Sequence, residues 1–310
     1  MGRQIKTVAV IGTGVIGASW AALFLAKGLN VSATDPAPNA EAELRKFISD
    51  AWPALEQLGL APGASQSNLT FSKDMKAAVV DADFVQENAP ERIDFKQKLY
   101  GELDELLAAD VILASSSSGL KVSDIQDGCK SHPERVVLGH PFNPPHIIPL
   151  VEIVGGAKTS EETIERATEF YRGLGKRPVR LNKEVPGHVA NRLAAALYRE
   201  VVYLVSEGVI SVSDIDDAVS WGPGLRWGVM GPNMLYNLGG GAGGIKHFFE
   251  QFSAPMAALW TVLGNPQITP ELAQTVIDGV SVEAGSHTTE ELSAERDSVL
   301  LGLLALRKAA

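Results

Sequence analysis

The chain has a single cysteine, Cys129, among its 310 residues, and no apolar run approaches the roughly 20 residues that a membrane-spanning helix needs. One cysteine excludes an intrachain disulfide, which is typical of a reducing compartment. The opening residues, MGRQIKTVAVIG, lead directly into a strand-like run, so we expect no secretory signal peptide. These features predict a cytoplasmic protein that does not enter a membrane.

Basic residues are fewer than acidic residues in this sequence. The sequence contains 27 Lys and Arg against 37 Asp and Glu, which gives a net charge of -10 at pH 7. A surplus of negative charge disfavours nucleic acid and anionic membrane surfaces, and we expect neither as a partner. No spacing of histidine, cysteine or carboxylate residues predicts a metal site. The hydrophobic fraction of 45% is that of a globular protein with enough residues for two cores.

Strand-like and helical segments alternate over the first 185 residues. The strand-like runs are residues 5–11, 30–35, 69–71, 83–87, 111–115, 135–140 and 150–155, and helical patterns cover 15–28, 38–58, 93–107 and 160–174. Such alternation predicts a Rossmann-type α/β fold, a doubly wound parallel sheet with helices on both faces. From Pro186 onward the patterns are helical, with a glycine-rich loop at 239–244. We therefore predict an α/β domain over residues 1–185 and a smaller all-helical domain over 186–310.

A glycine fingerprint, GTGVIG, stands between the first strand and the first helix. Gly12 allows a tight turn, Gly14 lets the backbone approach a pyrophosphate, and Gly17 lets helix and strand pack closely. The pyrophosphate is expected at the helix N-terminus, beside the amides of Val15 and Ile16. The hexapeptide alone also occurs as a turn in other α/β folds, but here the strand, the helix and a later acidic residue are all present.

Asp35 supplies that acidic residue at the end of the second strand. A carboxylate there accepts hydrogen bonds from ribose hydroxyls and repels a 2′-phosphate, so the sequence favours NAD over NADP. FAD is the alternative, although it usually accompanies a larger protein.

His140, Asn143 and Glu152 lie in the run HPFNPPHIIPLVEIV. A base that takes a proton near neutral pH needs a side chain that titrates there, and a carboxylate to orient it. Beside a dinucleotide fingerprint, a proton acceptor of this kind favours a dehydrogenase.

The motifs GTGVIG, ENAPE, SSSSGL, GHPFNPP, LVEIV and PGHVANR together resemble the L-3-hydroxyacyl-CoA dehydrogenase superfamily, and the resemblance covers nearly the whole chain. It implies that His140 is the catalytic base and that Glu152 orients it. It also implies that Ser118 and Asn191 contact the substrate carbonyl and hydroxyl. Asn143 is a further candidate substrate contact.

The same resemblance places Glu91 and Lys96 near the cofactor. His188 occupies a position that is often aromatic or apolar in the family, so we interpret it as structural. A helical domain of this kind usually dimerises, and we expect a homodimer through it.

The segment GPGLRW in the helical domain is most similar to the carnitine dehydrogenase and L-gulonate dehydrogenase (lambda-crystallin) branch, whose substrates are small free 3-hydroxy acids. Arg226 suits a substrate carboxylate because its guanidinium is a planar fork. Trp227, with Trp221, Tyr236 and Phe248, could surround a trimethylammonium group. The alternative for these rings is packing in the core or at a dimer interface.

The predicted function is NAD-dependent oxidation of the 3-hydroxyl of a small L-3-hydroxy acid, such as a carnitine-like compound. Two alternatives stay open at this point. One is a 3-hydroxyacyl-CoA dehydrogenase that acts on a CoA thioester, and the other is an NAD(H)-binding protein without catalysis.

Overall fold

The computed structural model describes residues 4–309, and these fall into two compact units that divide between Arg192 and Leu193. The first unit is α/β and the second contains helices only, within the described residues. The predicted fold class is therefore confirmed. The predicted domain boundary at residues 185 and 186 stays a prediction.

An eight-stranded sheet forms the centre of the first unit, with strand order β3-β2-β1-β4-β5-β6-β7-β8. The strands are β1 (Thr7–Ile11), β2 (Asn30–Thr34), β3 (Leu69–Phe71), β4 (Phe84–Glu87), β5 (Ile112–Ser115), β6 (Val136–Pro141), β7 (Leu150–Gly155) and β8 (Arg177–Arg180). Every predicted strand is present. The edge strand β8 was not predicted, because its sequence RPVR has little of the apolar, β-branched character that marks a strand.

Seven strand pairings are observed, and six of them are parallel. The exception is β6 with β7, which pair antiparallel. The reason is the short loop of residues 142–149, since a parallel crossover needs a dozen or more residues. In this register His140 lies directly opposite Glu152.

Helices cover both faces of the sheet. They are α1 (Val15–Ala26), α2 (Ala40–Leu58), α3 (Met75–Val79), α4 (Ile93–Leu106), α5 (Val122–Gln126) and α6 (Glu161–Gly173). Along β1 the side chains alternate: Val8 and Val10 belong to one buried cluster, and Ala9 and Ile11 belong to another. Both faces of a strand are therefore apolar, as expected for a sheet between two helical layers.

The helices from Ala190 onward begin at polar or proline-containing turns, except for the helix that begins at Gly244 in the glycine-rich segment. They are α7 (Ala190–Ser206), α8 (Val212–Trp221), α9 (Pro223–Val229), α10 (Pro232–Gly239), α11 (Gly244–Trp260), α12 (Pro270–Ala284) and α13 (Thr289–Ala309). Ser211 and Thr269 cap α8 and α12 by accepting backbone N–H bonds. The glycine-rich segment forms a 3₁₀ turn, Gly241–Gly243, between α10 and α11. None of the helices in residues 4–309 is long and apolar enough to cross a membrane.

Candidate active site

A cavity of about 420 Å³ opens in the first unit beside the fingerprint turn, where polar loops follow β4, β5 and β6. In an open parallel sheet this edge is where ligands bind. Among the sequence-predicted site residues, those that line the cavity are Ile16, Glu91, Lys96, Ser118, His140, Asn143 and Asn191. The other polar residues of the lining are Asn88, from the ENAPE motif, and Ser116 and Ser117, from the SSSSGL motif.

The fingerprint turn requires glycine at two positions for steric reasons. Gly12 has a φ of +80°, and a Cβ there would lie 2.7 Å from the carbonyl oxygen of Asn88. A Cβ on Gly17 would lie 1.9 Å from the carbonyl oxygen of Gly12. Gly14 differs, since no atom lies within 4 Å of the place where its Cβ would be. The turn is thus packed against the protein at Gly12 and Gly17 and open at Gly14.

The start of α1 is suited to a bound anion. Gly14 is its N-cap, no side chain caps the helix, and the first turn, which contains Val15 and Ile16, carries no acidic residue. The first amides of a helix lack intrahelical acceptors, and the helix dipole adds positive potential there. A pyrophosphate therefore fits this helix end.

Asp35 is held beside the same turn by two backbone amides. Its Oδ2 accepts the N–H of Thr13 at 2.8 Å, and its Oδ1 accepts the N–H of Ala37 at 2.9 Å. The Oγ1 of Thr13 is buried and has no hydrogen-bond partner within residues 4–309. A buried hydroxyl without a partner is costly, so this atom is suited to a polar ligand. The open helix start, Asp35 and Thr13 together fit NAD.

His140 and Glu152 form a buried pair across the antiparallel strands. The Nδ1 of His140 lies 2.9 Å from Oε2 of Glu152, and the two residues are only 6% and 2% exposed. The other carboxylate oxygen accepts the N–H groups of Val189 and Ala190 at 2.8 and 3.0 Å. Burial by itself raises the pKa of Glu152, but the hydrogen bonds from His140 and these two amides outweigh it, so the pKa lies below the usual 4.5. Glu152 is therefore ionised at neutral pH.

This geometry sets the chemistry available to the imidazole. An ionised carboxylate accepts a proton-bearing Nδ1, which leaves the lone pair of the neutral ring on Nε2. That Nε2 makes no hydrogen bond within the described chain, and the ring lines the cavity. His140 can therefore take a proton from a ligand in the cavity, while Glu152 stabilises the imidazolium that results.

Of the four serines after β5, three have structural partners. Their hydroxyls donate to the side chains of the segment after β4, as Ser115 to Glu87, Ser116 to Asn88 and Ser117 to Glu91. Ser118 is exposed on the cavity, and its hydroxyl has no hydrogen-bond partner in the described part of the chain. Ser118 is therefore the serine available to a ligand.

Lys96 and Glu91 border the cavity, but their charges are already engaged with the protein. Lys96 is 1% exposed, and its Nζ donates to Oε1 of Glu87 at 2.5 Å and to the carbonyl oxygen of Ala89 at 3.2 Å. Oε1 of Glu91 accepts bonds from Ser117 and from two backbone amides. Burial raises the pKa of Glu91, but the Ser117 bond and these amides lower it to a net value below 4.5.

Glu87, the first residue of the ENAPE motif, is buried at the end of β4. A carboxylate buried in this way needs a partner, and Lys96 supplies it.

Lys176, which was not predicted as a site residue, holds the loop of residues 142–149 after β6 by hydrogen bonds. Its Nζ donates to the carbonyl oxygens of Pro145 and Ile148, the latter at 2.7 Å. Burial lowers the pKa of Lys176 to about 7. Asn143, at the exposed start of this loop, lines the cavity. The anchor thus fixes the loop that carries Asn143.

Arg226 and Trp227 lie on α9 in the helical unit, and their side chains are exposed. Their contact with the substrate stays a prediction. Within this unit Tyr236 and Phe248 stack on each other, with ring centroids 4.6 Å apart and an interplanar angle of 20°. Rings at this distance leave no space for a cation between them, so for this pair the packing alternative is the better interpretation.

The fold and the site define an NAD-dependent oxidoreductase. The family model for the 3-hydroxyacyl-CoA dehydrogenase NAD binding domain matches residues 7–185, and that for the 3-hydroxyacyl-CoA dehydrogenase C-terminal domain matches residues 187–272. The chain belongs to the 3-hydroxyacyl-CoA dehydrogenase family. Within residues 4–309, no group of three or more His, Cys, Asp or Glu is placed to hold a metal ion.

Relatives match over nearly the full length. The chain is 48% identical to an L-carnitine dehydrogenase of a Pseudomonas species, over 97% of this chain and 94% of the relative. It is 45% identical to an L-carnitine dehydrogenase of Bacillus cereus, over 99% and 94%. A solved structure of 5-formyl-3-hydroxy-2-methylpyridine 4-carboxylic acid 5-dehydrogenase, described as an NAD⁺-dependent dismutase, has a TM-score of 0.85 at 36% identity and 98% coverage of both chains.

The two glycine environments predict different effects of alanine. Gly14→Ala adds a methyl group in open space, so the thermal midpoint should not change, but the methyl blocks the approach of a pyrophosphate. Loss of one charge-assisted hydrogen bond, about 1.5–3 kcal/mol, weakens NADH binding about 10- to 100-fold. Gly17→Ala should lower both the thermal midpoint and the affinity, because its methyl meets the carbonyl of Gly12. Fluorescence titration with NADH and thermal denaturation measure the two effects, and tight NADH binding by Gly14→Ala would contradict this assignment.

Proposed function

We propose that this protein oxidises the 3-hydroxyl of L-carnitine, or of a closely similar small L-3-hydroxy acid, to the 3-keto compound with NAD⁺. The observation that carries the chemistry is the His140–Glu152 pair, with Nε2 of His140 free at the cavity and beside the fingerprint turn. The choice of substrate is supported by the L-carnitine dehydrogenases that match over 97% and 99% of this chain.

Two pairs of residues carry the proposed reaction. Nε2 of His140 takes the hydroxyl proton, and Glu152 holds the ring and stabilises its charge. Ser118 and Asn191, both with side-chain polar groups available at the cavity, hold the reacting oxygen. NAD⁺ held at the fingerprint turn would supply the acceptor for the hydride that leaves the carbon bearing the hydroxyl.

The proposed cofactor contacts follow the turn described above. The amides of Val15 and Ile16 would hold the pyrophosphate, and the carboxylate of Asp35 would accept hydrogen bonds from the ribose hydroxyls. Glu91 and Lys96 act at the nicotinamide end by keeping the loop after β4 in place.

A CoA thioester is the second candidate substrate, because the matching family models are those of 3-hydroxyacyl-CoA dehydrogenases. NADH formation with L-carnitine, L-gulonate, L-3-hydroxybutyrate and 3-hydroxybutyryl-CoA decides between them, with D-carnitine as the stereochemical control. We expect the highest kcat/KM with L-carnitine. A higher kcat/KM with 3-hydroxybutyryl-CoA would change the assigned substrate to a CoA thioester, but the proposed mechanism would still apply. Inactivity with every compound would favour an NAD(H)-binding protein without catalysis.

Replacement of the proposed base should abolish most of the activity. His140→Gln removes the proton acceptor and should lower kcat by ~10²-fold or more. Glu152→Gln removes a charge-assisted hydrogen bond worth about 1.5–3 kcal/mol, which corresponds to about a 10- to 100-fold loss in kcat. His132→Gln, at a side chain 40% exposed on the surface, is the matched control and should keep full activity. NADH titrations should give wild-type affinity for all three, and an active His140→Gln variant would refute the mechanism.

We also propose that a second copy of the chain covers part of the helical unit. The buried apolar side chains of this unit, within the described residues, are Val202, Val205, Ile215 and Phe248. Large apolar side chains elsewhere in it are exposed, for example 64% for Trp260 and 80% for Val282. Apolar surface of this extent is typical of an interface.

A homodimer can be detected in solution from its mass and from the concentration dependence of its thermal midpoint. Light scattering should give twice the chain mass of 32.9 kDa, and the thermal midpoint should rise with protein concentration because association stabilises the folded chain. A monomer mass at micromolar concentration with a concentration-independent midpoint would contradict the proposal.

We place the protein in the cytoplasm. Cys129 is unpaired and buried, and burial raises the pKa of its thiol to about 12, so this residue neither needs nor responds to an oxidising compartment. Cell fractionation with an antibody tests the assignment, and recovery in a secreted or membrane fraction would refute it.

A further inference from the structure

The turn before α7 contains a residue in an unusual backbone conformation. His188 has a φ of +50° and is the non-glycine residue with a positive φ within residues 4–309. Gly187 before it has a φ of +74°. Left-handed backbone is disfavoured for residues with a Cβ and persists where the surroundings hold it in place.

Three contacts hold His188. The residue is 2% exposed, and its Nε2 lies 3.0 Å from the carbonyl oxygen of Ser117, to which it donates a hydrogen bond. Its backbone N–H donates to the carbonyl oxygen of Val185 at 3.0 Å. Its ring packs against that of His140, with centroids 5.0 Å apart and an interplanar angle of 49°.

The same turn supplies the hydrogen bonds that hold the carboxylate of Glu152. The two amides that follow His188, those of Val189 and Ala190, both donate to Oε1 of Glu152. These amides lie at the start of α7, where backbone N–H groups lack intrahelical acceptors and are available to a carboxylate. The conformation of His188 therefore connects the serine loop after β5 with the carboxylate that orients His140.

The protonation state of His188 follows from its contacts. Because Nε2 carries the proton donated to Ser117, Nδ1 carries the lone pair of the neutral ring. Nδ1 is buried and has no hydrogen-bond partner among the described residues, so protonation there would bury an N–H group without an acceptor. Burial accordingly lowers the pKa of His188, although the hydrogen bond to Ser117 and the charges of Glu152 and Glu91 oppose this. A neutral His188 places no positive charge beside the ring that must accept a proton.

We propose that His188 is a positioning residue of the reaction, which in its neutral form fixes the Ser117–Ser118 loop and the Glu152-binding turn against the ring of His140. This inference rests on the proposed dehydrogenase function. It goes beyond the interpretation of His188 as structural that the sequence suggested.

Two substitutions separate positioning from stability. Asn tolerates left-handed backbone, but its amide is too short to reach the carbonyl of Ser117, so in the thermal midpoint of His188→Asn the relief of backbone strain should offset only part of the loss of that buried hydrogen bond. Gln is long enough to donate that bond but retains the backbone strain. Positioning therefore predicts that His188→Asn lowers kcat about 10- to 100-fold, whereas His188→Gln stays within about fivefold of the wild type. Thr163→Val is the matched control, since it removes another buried hydrogen bond to a backbone carbonyl, that of Glu134, and should leave kcat unchanged.

The kinetic isotope effect shows whether the loss lies in the chemical step. With L-carnitine deuterated at C3, or the deuterated form of whichever compound of the panel is turned over, the isotope effect on kcat should increase in His188→Asn. A variant that merely reduces the folded fraction leaves the isotope effect unchanged. Wild-type kcat and isotope effect in His188→Asn, or a larger loss in His188→Gln than in His188→Asn, would overturn the proposal.

A third measurement does not depend on turnover. ¹H–¹⁵N NMR of histidine-labelled protein should show the Nε2–H tautomer for His188 at pH 7, and the Nδ1–H resonance of His140 should shift or broaden in His188→Asn but not in His188→Gln. A charged or Nδ1–H His188, or a His140 resonance that is the same in both variants, would refute the positioning role even if activity is seen. A wild-type chain that is inactive on every compound, but shows the expected resonances, would refute the proposed function alone.

Discussion

Because β7 runs antiparallel to β6, His140 and Glu152 stand directly opposite each other, and their side chains meet at 2.9 Å inside the sheet. Directly opposed residues of an antiparallel pair have side chains on the same face, close enough for a hydrogen bond. The short loop of residues 142–149 causes this antiparallel pairing, and a loop long enough for a parallel crossover would not bring the two side chains together in this register. The reversal of chain direction between β6 and β7, which β8 then follows, thus creates the pair, and the amides of Val189 and Ala190 hold the other oxygen of the carboxylate.

Other buried charged side chains around the cavity are also held by hydrogen-bonded partners. Lys96 and Glu87 are both about 1% exposed and are paired at 2.5 Å, with Tyr100 and Ser115 donating to the second oxygen of Glu87. A pair of this kind adds little net stability, but removal of one partner leaves an uncompensated buried charge, at a cost of about 3–5 kcal/mol. Its structural consequence is that the ends of β4 and β5 are joined, and among the serines that line the cavity Ser118 is the one whose hydroxyl has no hydrogen-bond partner within the described residues. The polar network therefore selects which of four similar side chains is available to a ligand.

Most of the fold could be predicted from local pattern. Each of the strands β1, β2, β4, β5, β6 and β7, and each helix between them, has an apolar pattern in its own sequence that predicts its secondary structure. The strand β8 could not be found this way, because Arg177 and Arg180 carry charge and the strand is defined by its pairing with β7. The antiparallel direction of β7 was also not predicted, although the length of the preceding loop contained that information. For side chains of the helical unit such as Arg226 and Trp227, the sequence pattern is the same whether the residue packs against the protein or contacts a ligand. The pattern alone therefore does not distinguish these two roles.

The sequence by itself determined the class of fold, the cofactor and the candidate base, because these depend on glycine spacing, on the order of strands and helices and on side-chain chemistry. The family followed from motifs spread over nearly the whole chain. Tertiary structure alone decided which groups share an environment: His140 with Glu152, Lys96 with Glu87, and His188 with Ser117. These partners are up to 71 residues apart in the chain. Their charges and tautomers depend on burial and on hydrogen bonds that exist only after the strands and loops have come together, so no local pattern carries that information.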